Sequence, residues 1–270
     1  MTATPRPAGP HRPRKRFGQH FLAPGWAARL VNAIDPRPDQ TFLEIGPGRG
    51  AITHLLAARA ARVIAIEVDR DLAAQLRQRA GPRLDVIEGD VLDVDLAALA
   101  LPPRTRVAGN LPYNISSPIL FRLLGAQRRL GVFADATLML QKEVADRLVA
   151  VPGTKDYGLL TIFTALEATV VRQLTLPPGA FHPAPRVRSA AVRLTFHGRG
   201  IEVPEGFDAM TRSLFAARRK TIANGLKAPA ALRGTTPEAA LARAGLDPRL
   251  RPEQLTVEQL LSLARALGGR

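Results

Sequence analysis

Between Thr41 and Leu140 the chain alternates short unbroken apolar runs with stretches whose apolar residues return at helical spacing. Thr41–Gly46 (TFLEIG), Val63–Val68 (VIAIEV), Leu84–Glu88, Arg104–Gly109 and Ala136–Leu140 have the length and apolar character of buried strands. Helices are predicted over Ala51–Ala60, behind a glycine loop, and over Asp69–Ala80, which opens on an acidic residue, with further helical stretches between the later strands. Strands spaced by helices need parallel crossovers, so the prediction is an α/β fold with a doubly wound sheet. Thr169–Leu174 and Ser189–Phe196 flank a proline-rich turn and suit a hairpin. The strand signal ends near residue 200. Phe207–Ala217, Pro237–Ala244 and Val257–Leu267 then read as helices punctuated by Gly and Pro, which predicts a small helical C-terminal domain. The first dozen residues read as a loose tail.

Composition narrows the classes. A chain of 270 residues that is 46% hydrophobic can bury a large domain and a small one, which excludes disorder of the whole. The absence of cysteine excludes a disulfide framework, thiol nucleophiles and cysteine-based zinc sites, and fits a reducing, intracellular setting. No run approaches the ~18 apolar residues of a membrane span, and the basic N-terminus has no apolar core behind it, unlike a secretory signal. The net charge of +15 is unevenly placed. Residues 1–34 contribute +6 with no acid, residues 208–270 another +6, and the 173 residues between them only +3. A compositional bias explains why only five of the 38 basic residues are lysine, but bias does not cluster charge. Two basic ends on a near-neutral body point to nucleic acid, ahead of a membrane surface, because no basic amphipathic helix with an aromatic face is visible.

Four motifs carry candidate chemistry. Glu44-Ile45-Gly46-Pro47-Gly48-Arg49-Gly50 lies between a strand and a helix, with G-x-G-x-G spacing rather than the G-x-G-x-x-G of a dinucleotide fold. Such a loop is typical of S-adenosylmethionine sites; a tight strand-to-helix turn is the plainer reading. Glu67, about twenty residues on, can accept both hydrogen bonds of a ribose diol, or be a solvated acid at a strand end. Asp90 can accept from an adenine amino group or cap a helix. Asn110-Leu111-Pro112-Tyr113 follows the fourth strand, at the sheet edge where ligands of open α/β folds bind. The Asn110 carboxamide oxygen and the carbonyl of Leu111 or Pro112 can bind both hydrogens of an exocyclic amine and favour its rehybridisation, while Tyr113 offers a face for stacking the base. An ordinary turn is the competing reading. There is no phosphate loop and no nucleophile elbow. The five histidines have no ligand-like spacing, so no metal is expected.

In order, Lys15-Arg16-Phe17-Gly18-Gln19-His20-Phe21-Leu22, the EIGPGRG loop, Ile66-Glu67-Val68-Asp69, Glu88-Gly89-Asp90 and Asn110-Leu111-Pro112-Tyr113-Asn114-Ile115 closely resemble the ribosomal RNA adenine dimethyltransferases of the kasugamycin-sensitivity type. The likeness continues through Leu140-Gln141-Lys142-Glu143-Val144 and 178–189 (PGAFHPAPRVRS), and resumes at Arg218-Arg219-Lys220-Thr221. The resemblance implies a Rossmann-like methyltransferase domain over 14–200, a helical RNA-binding domain over 201–270 and a basic tail over 1–13. It implies that S-adenosylmethionine is held by His20, Leu22, Gly46, Glu67, Asp90 and Asn110, and that Tyr113 and Phe181 sandwich a flipped adenine. A core aromatic beside a proline turn is the alternative for Phe181.

The family's reaction is the addition of two methyl groups to N6 of each of two adjacent adenines in a hairpin loop near the 3′ end of small-subunit RNA. In-line displacement at a sulfonium methyl needs no strong general base, which suits a site without a histidine–carboxylate pair. Arg14, Lys15, Arg16, Arg218, Arg219 and Lys220 are the candidate phosphate contacts, a solvated face being the alternative for the last three. A cytoplasmic monomer acting on ribosomal RNA in an immature small subunit is expected. The competing functions are large-subunit adenine methylation, against which the FGQHFL and ARRKT blocks argue, and a non-enzymatic assembly or transcription factor, against which the intact Asn110–Tyr113 turn argues. A nicotinamide oxidoreductase is disfavoured by the glycine spacing.

Overall fold

The computed structural model describes residues 19–198 and 201–268. Arg14, Lys15, Arg16 and the tail over 1–13 lie outside the described residues. The elements run β1 (Phe21–Leu22), α1 (Pro24–Ile34), β2 (Thr41–Ile45), α2 (Thr53–Ala57), β3 (Arg62–Glu67), α3 (Arg70–Gln78), β4 (Leu84–Glu88), β5 (Thr105–Asn110), α4 (Ser116–Leu130), β6 (Phe133–Gln141), α5 (Lys142–Leu148), α6 (Leu159–Ala165), β7 (Ala168–Leu176), β8 (Phe181–His182) and β9 (Ser189–Phe196). Then come α7 (Phe207–Ala216), α8 (Ile222–Gly225), α9 (Lys227–Leu232), α10 (Pro237–Ala244) and α11 (Val257–Gly268). Contacts divide the chain into two compact units, one of Met1–Ala145 with Val171–Phe196 and the other of Asp146–Val170 with His197–Arg270. The excursion over 146–170 carries no boundary signal, because the chain enters it within α5 and leaves it within β7.

The first unit holds a seven-stranded sheet in the order β4-β3-β2-β5-β6-β9-β7. The pairs β2–β3, β3–β4, β2–β5 and β5–β6 are parallel, and β6–β9 is antiparallel. The chain winds outward from β2 to β4 and then restarts on the other side at β5. That reversal opens a crevice at the carboxyl ends of β2 and β5, the place where open α/β sheets bind ligands. β7 and β9 are neighbours, as the hairpin expectation required, and the link between them carries β8, which pairs with β1 as a separate two-stranded ribbon.

Helix α1 buries Ala27, Leu30, Val31 and Ile34, one face at helical spacing, in a core with Phe42, Leu56, Val63 and Ala108. It ends on Asp35 in the left-handed conformation (φ 54°). Its last carbonyls are gathered by two arginines: Arg106 donates to the Ile34 and Asp35 carbonyls and Arg193 to those of Ala33 and Ile34, charges that also suit the negative end of a helix dipole. Arg106 is buried and pairs with Asp135 at 2.9 Å. This pair explains why β6 starts at Phe133, three residues before the apolar run, since the guanidinium satisfies the acid that the strand carries inward.

The second unit is helical around Tyr157, Phe207, Leu214, Leu260 and Leu263, all buried. Phe163 and Phe207 meet edge to face at 6.2 Å, and the Tyr157 hydroxyl donates to the Leu255 carbonyl at 2.8 Å. Burial pushes that phenol up to about 12, so it remains a donor across the physiological range. Among the described residues no helix is long and apolar enough to cross a membrane.

Candidate active site

The reversal point of the sheet carries a cleft of about 450 Å³, within the size range of small-molecule sites. The loop from β2 toward α2 forms its floor. Gly46, Gly48 and Gly50 all have positive φ, which only glycine adopts without strain. At Gly50 a Cβ would also lie 2.8 Å from both His54 Nε2 and Leu76 Cδ2, so those side chains would have to move. The ladder to β3 runs right up to this turn, the Gly46 N–H bonding the Ile66 carbonyl at 3.0 Å.

Glu67 ends β3 and is 4% exposed. One carboxylate oxygen accepts from the Gly48 N–H and the other from the Asp69 N–H, each at 2.9 Å. Burial raises this carboxyl above its ordinary value, and the two N–H bonds pull it back. The bonds leave each oxygen a further lone pair and hold the group rigid, which is what a ribose diol requires. Asp69 caps α3 and accepts from Gln19 at 3.0 Å. Neither Gln19 nor Asp69 was among the expected site residues, though both lie in the recognised blocks.

Asn110 closes β5. Its amide Nδ2 donates to the His20 carbonyl at 2.9 Å, which leaves Oδ1 as the acceptor the carboxamide can offer a ligand. The N-terminal segment is thus tied to the sheet by Gln19, by Asn110 and by the β1–β8 pairing, in which Phe21 faces His182 and Leu22 faces Phe181. The Pro112 carbonyl already accepts from the Ile115 N–H at 3.2 Å. Tyr113 is half-buried, its hydroxyl hydrogen-bonded with Ser189 Oγ. Burial raises the phenol, opposed by that bond, so Tyr113 stays neutral. Arg49 lies over the Phe21 ring at 4.2 Å on the cleft wall.

The cleft therefore brings together His20, Leu22, Gly46, Glu67, Asn110, Leu111, Pro112 and Tyr113. Two expected residues stand apart. Asp90 is half-buried beyond β4 and is not among the cleft-lining residues; its Oδ1 accepts from the Leu92 N–H at 2.9 Å within a turn, and no helix follows for it to cap, since the next one is α4 at Ser116. Phe181 is 4% exposed and packed in the core with Leu22, Leu30 and Ala180, so in this conformation its ring offers no face to the cleft. Its neighbour His182 lines the cleft instead. In the second unit Arg219 and Lys220 are exposed in the turn after α7, whereas Arg218 bonds the Thr154 carbonyl at 3.1 Å and lies 3.7 Å from Glu253. The three are not on one solvated helix face, because α7 ends at Ala216.

This donor set fits S-adenosylmethionine: a rigid carboxylate for the ribose, a glycine floor that lets the ligand approach the backbone, and apolar walls from Leu22, Ile52 and Pro112. Among the described residues no group of three or more His, Cys, Asp or Glu is placed to hold a metal ion.

The chain matches the family described as ribosomal RNA adenine dimethylase over residues 10–267. It is 46% identical to ribosomal RNA small subunit methyltransferase A of Acidobacterium capsulatum, over 97% of this chain and 93% of that one. The protein of the same name from Geobacter metallireducens is 43% identical over 96% and 98%. Among solved structures, a dimethyladenosine transferase from Plasmodium falciparum superposes with a TM-score of 0.77 at 26% identity, over 90% of this chain and 96% of that one. The 23S rRNA methyltransferase ErmE gives 0.67 at 29%, over 92% and 99%.

Proposed function

The chain belongs to the ribosomal RNA adenine dimethylase family, and from that premise we propose that it methylates N6 of two adjacent adenines in a hairpin loop near the 3′ end of small-subunit ribosomal RNA, twice on each. Higher identity to the small-subunit enzymes than to the 23S enzyme favours this substrate over large-subunit RNA. The observation that carries the reading is Asn110: its amide nitrogen is committed to the His20 carbonyl, so its oxygen remains to accept from the target amine in the cleft that Glu67 lines.

S-adenosylmethionine supplies an electrophilic methyl group when bound. His20, Leu22, Gly46, Glu67 and Asn110 would hold it, and Asp90, outside the cleft lining as placed, would reach only the adenine end of the cofactor. Asn110 Oδ1 with the carbonyl of Leu111 or Pro112 takes the two amino hydrogens and turns the nitrogen lone pair out of conjugation with the ring. Pro112 stiffens the turn, and Tyr113 supplies the stacking face. Phe181 joins the stack only if its ring turns out of the core; as placed, it backs the wall behind Leu22. RNA is held along its backbone by Arg14, Lys15, Arg16, Arg219 and Lys220, with Arg218 engaged internally. The working state is a metal-free cytoplasmic monomer on an immature small subunit.

The test is mass spectrometry of ribosomal RNA from cells lacking the gene, with add-back of purified protein to their small subunits. Loss and restoration of N6,N6-dimethyladenosine is expected. Methyl groups on a ring carbon or a ribose would overturn the reading, because an amino-group clamp has no use there.

A further inference from the structure

The Tyr113 ring is not bare. The His20 imidazole stacks on it with centroids 5.2 Å apart and planes 23° from parallel, and His20 Nδ1 is hydrogen-bonded with the Pro183 carbonyl at 2.7 Å. The histidine ring therefore fills the gap between Tyr113 and the residue that follows β8. Tyr113 cannot yield that gap by swinging while its hydroxyl is held by Ser189.

The His20 backbone is anchored independently of its ring. Its carbonyl accepts from Asn110, and the next two residues pair with β8. A rotation of the side chain alone would clear the face of Tyr113 and break one stack and one hydrogen bond, leaving the backbone anchors of the segment in place. An imidazole is as thin as a purine and of similar polarity, and it sits where a base stacked on this face of Tyr113 would have to lie.

Resting on the reading of Tyr113 as the stacking ring, we propose that His20 is a specificity residue that occupies the base slot until the target adenine displaces it. Opening the slot forfeits the stack and the hydrogen bond. A base delivered by bound RNA offsets that loss, because backbone contacts already hold it in place, whereas a free nucleobase or a poorly held nucleotide does not. The device gives the enzyme a threshold for base entry in addition to whatever the RNA shape selects.

The experiment compares two synthetic hairpin RNAs, one with both target adenines and one with abasic nucleotides at both target positions, bound to full-length protein saturated with S-adenosylhomocysteine. Wild type, His20→Ala, His20→Phe and Tyr113→Ala are measured, each at its own saturating S-adenosylhomocysteine concentration, and thermal melts verify that each variant is folded. The abasic RNA has nothing to insert, so its affinity reports the backbone contacts alone. His20→Ala is expected to raise the preference for adenine over abasic RNA on the order of tenfold, the combined worth of one stack and one hydrogen bond. His20→Phe, whose displaced ring would be exposed to water, is expected to lower the preference below wild type. An unchanged or lowered preference in His20→Ala overturns the proposal; a fall in both variants would mark His20 as a supporting wall. Tyr113→Ala tests the underlying reading separately. If it keeps the wild-type preference, the stacking role falls and the proposal with it, and if it loses the preference while His20→Ala gains none, only the proposal falls. Equal affinities for both RNAs in all four proteins would also overturn it.

Discussion

Asn110 performs two separable tasks, and substitution can pull them apart. Its Nδ2 donates to the His20 carbonyl at 2.9 Å and so fixes the N-terminal wall of the cofactor cleft. Its Oδ1 is the acceptor that the proposed function offers to the target amine. Asn110→Ala removes both. Losing a neutral hydrogen bond to the wall costs about 0.5–1.5 kcal/mol, or roughly two- to tenfold in cofactor affinity. Losing a preorganised acceptor in the transition state costs about 3–4 kcal/mol, a hundredfold or more in turnover. RNA affinity should hardly change, because it comes mostly from the backbone. Asn110→Asp keeps an acceptor but sets a carboxylate oxygen against the His20 carbonyl. It should damage cofactor binding more than Asn110→Ala does, yet retain far more of the rate once cofactor is saturating. The assays are calorimetry for cofactor affinity and single-turnover methyl transfer to undermethylated small subunits at saturating cofactor. Near wild-type turnover by Asn110→Ala would refute the amine clamp. Equal rate losses in the two variants would show that the wall, rather than the acceptor, limits turnover.

Glu67→Ala removes a carboxylate held by two backbone N–H groups and should weaken cofactor binding by about 1.5–3 kcal/mol; calorimetry showing unchanged affinity in folded protein would remove Glu67 from the site. Replacing Arg219 and Lys220 with alanine should weaken RNA binding and flatten its salt dependence by roughly one unit or slightly less per lost phosphate contact, whereas Arg218→Ala should act mainly on stability through its Thr154 and Glu253 contacts. A filter-binding salt series in which Arg218→Ala flattens the slope as much as the other two would contradict this division. Glu44 is fully buried and burial pushes its carboxyl up to about 8, so it is protonated at neutral pH. The folded value lies above the unfolded one, so its contribution is complete below about pH 4.5 and is lost as pH rises toward 8, at up to ~1.4 kcal/mol per pH unit. Glu44→Gln should remove that loss, and thermal melts should show the variant gaining on wild type from acid to pH 8 and no further beyond it.

The alternation of apolar runs and helical stretches was enough to indicate a doubly wound sheet, because strands buried on both faces need continuous apolar sequence and parallel neighbours need crossovers. The ordered blocks from Gln19 to Tyr113 were enough to indicate the family and most of the cleft, since glycine turns and strand-end carboxylates are local features that a short sequence can specify. Helix α1 is legible too, in Pro24 and the spacing of Ala27, Leu30, Val31 and Ile34. What no local pattern holds is pairing across distance. The start of β6 depends on Arg106 meeting Asp135, 29 residues away. The excursion over 146–170 joins the helical unit through contacts such as Tyr157 with Leu255, separated by 98 residues. Side-chain direction is equally non-local. Sequence placed Phe181 next to the site, and only the β1–β8 pairing decided that its ring faces the core while His182 faces the cleft, because successive residues of a strand point to opposite sides. In the same way, Asn110 and Tyr113 were evident from their turn, but their partners, the His20 carbonyl 90 residues away and Ser189 76 residues away, exist only once the chain has folded.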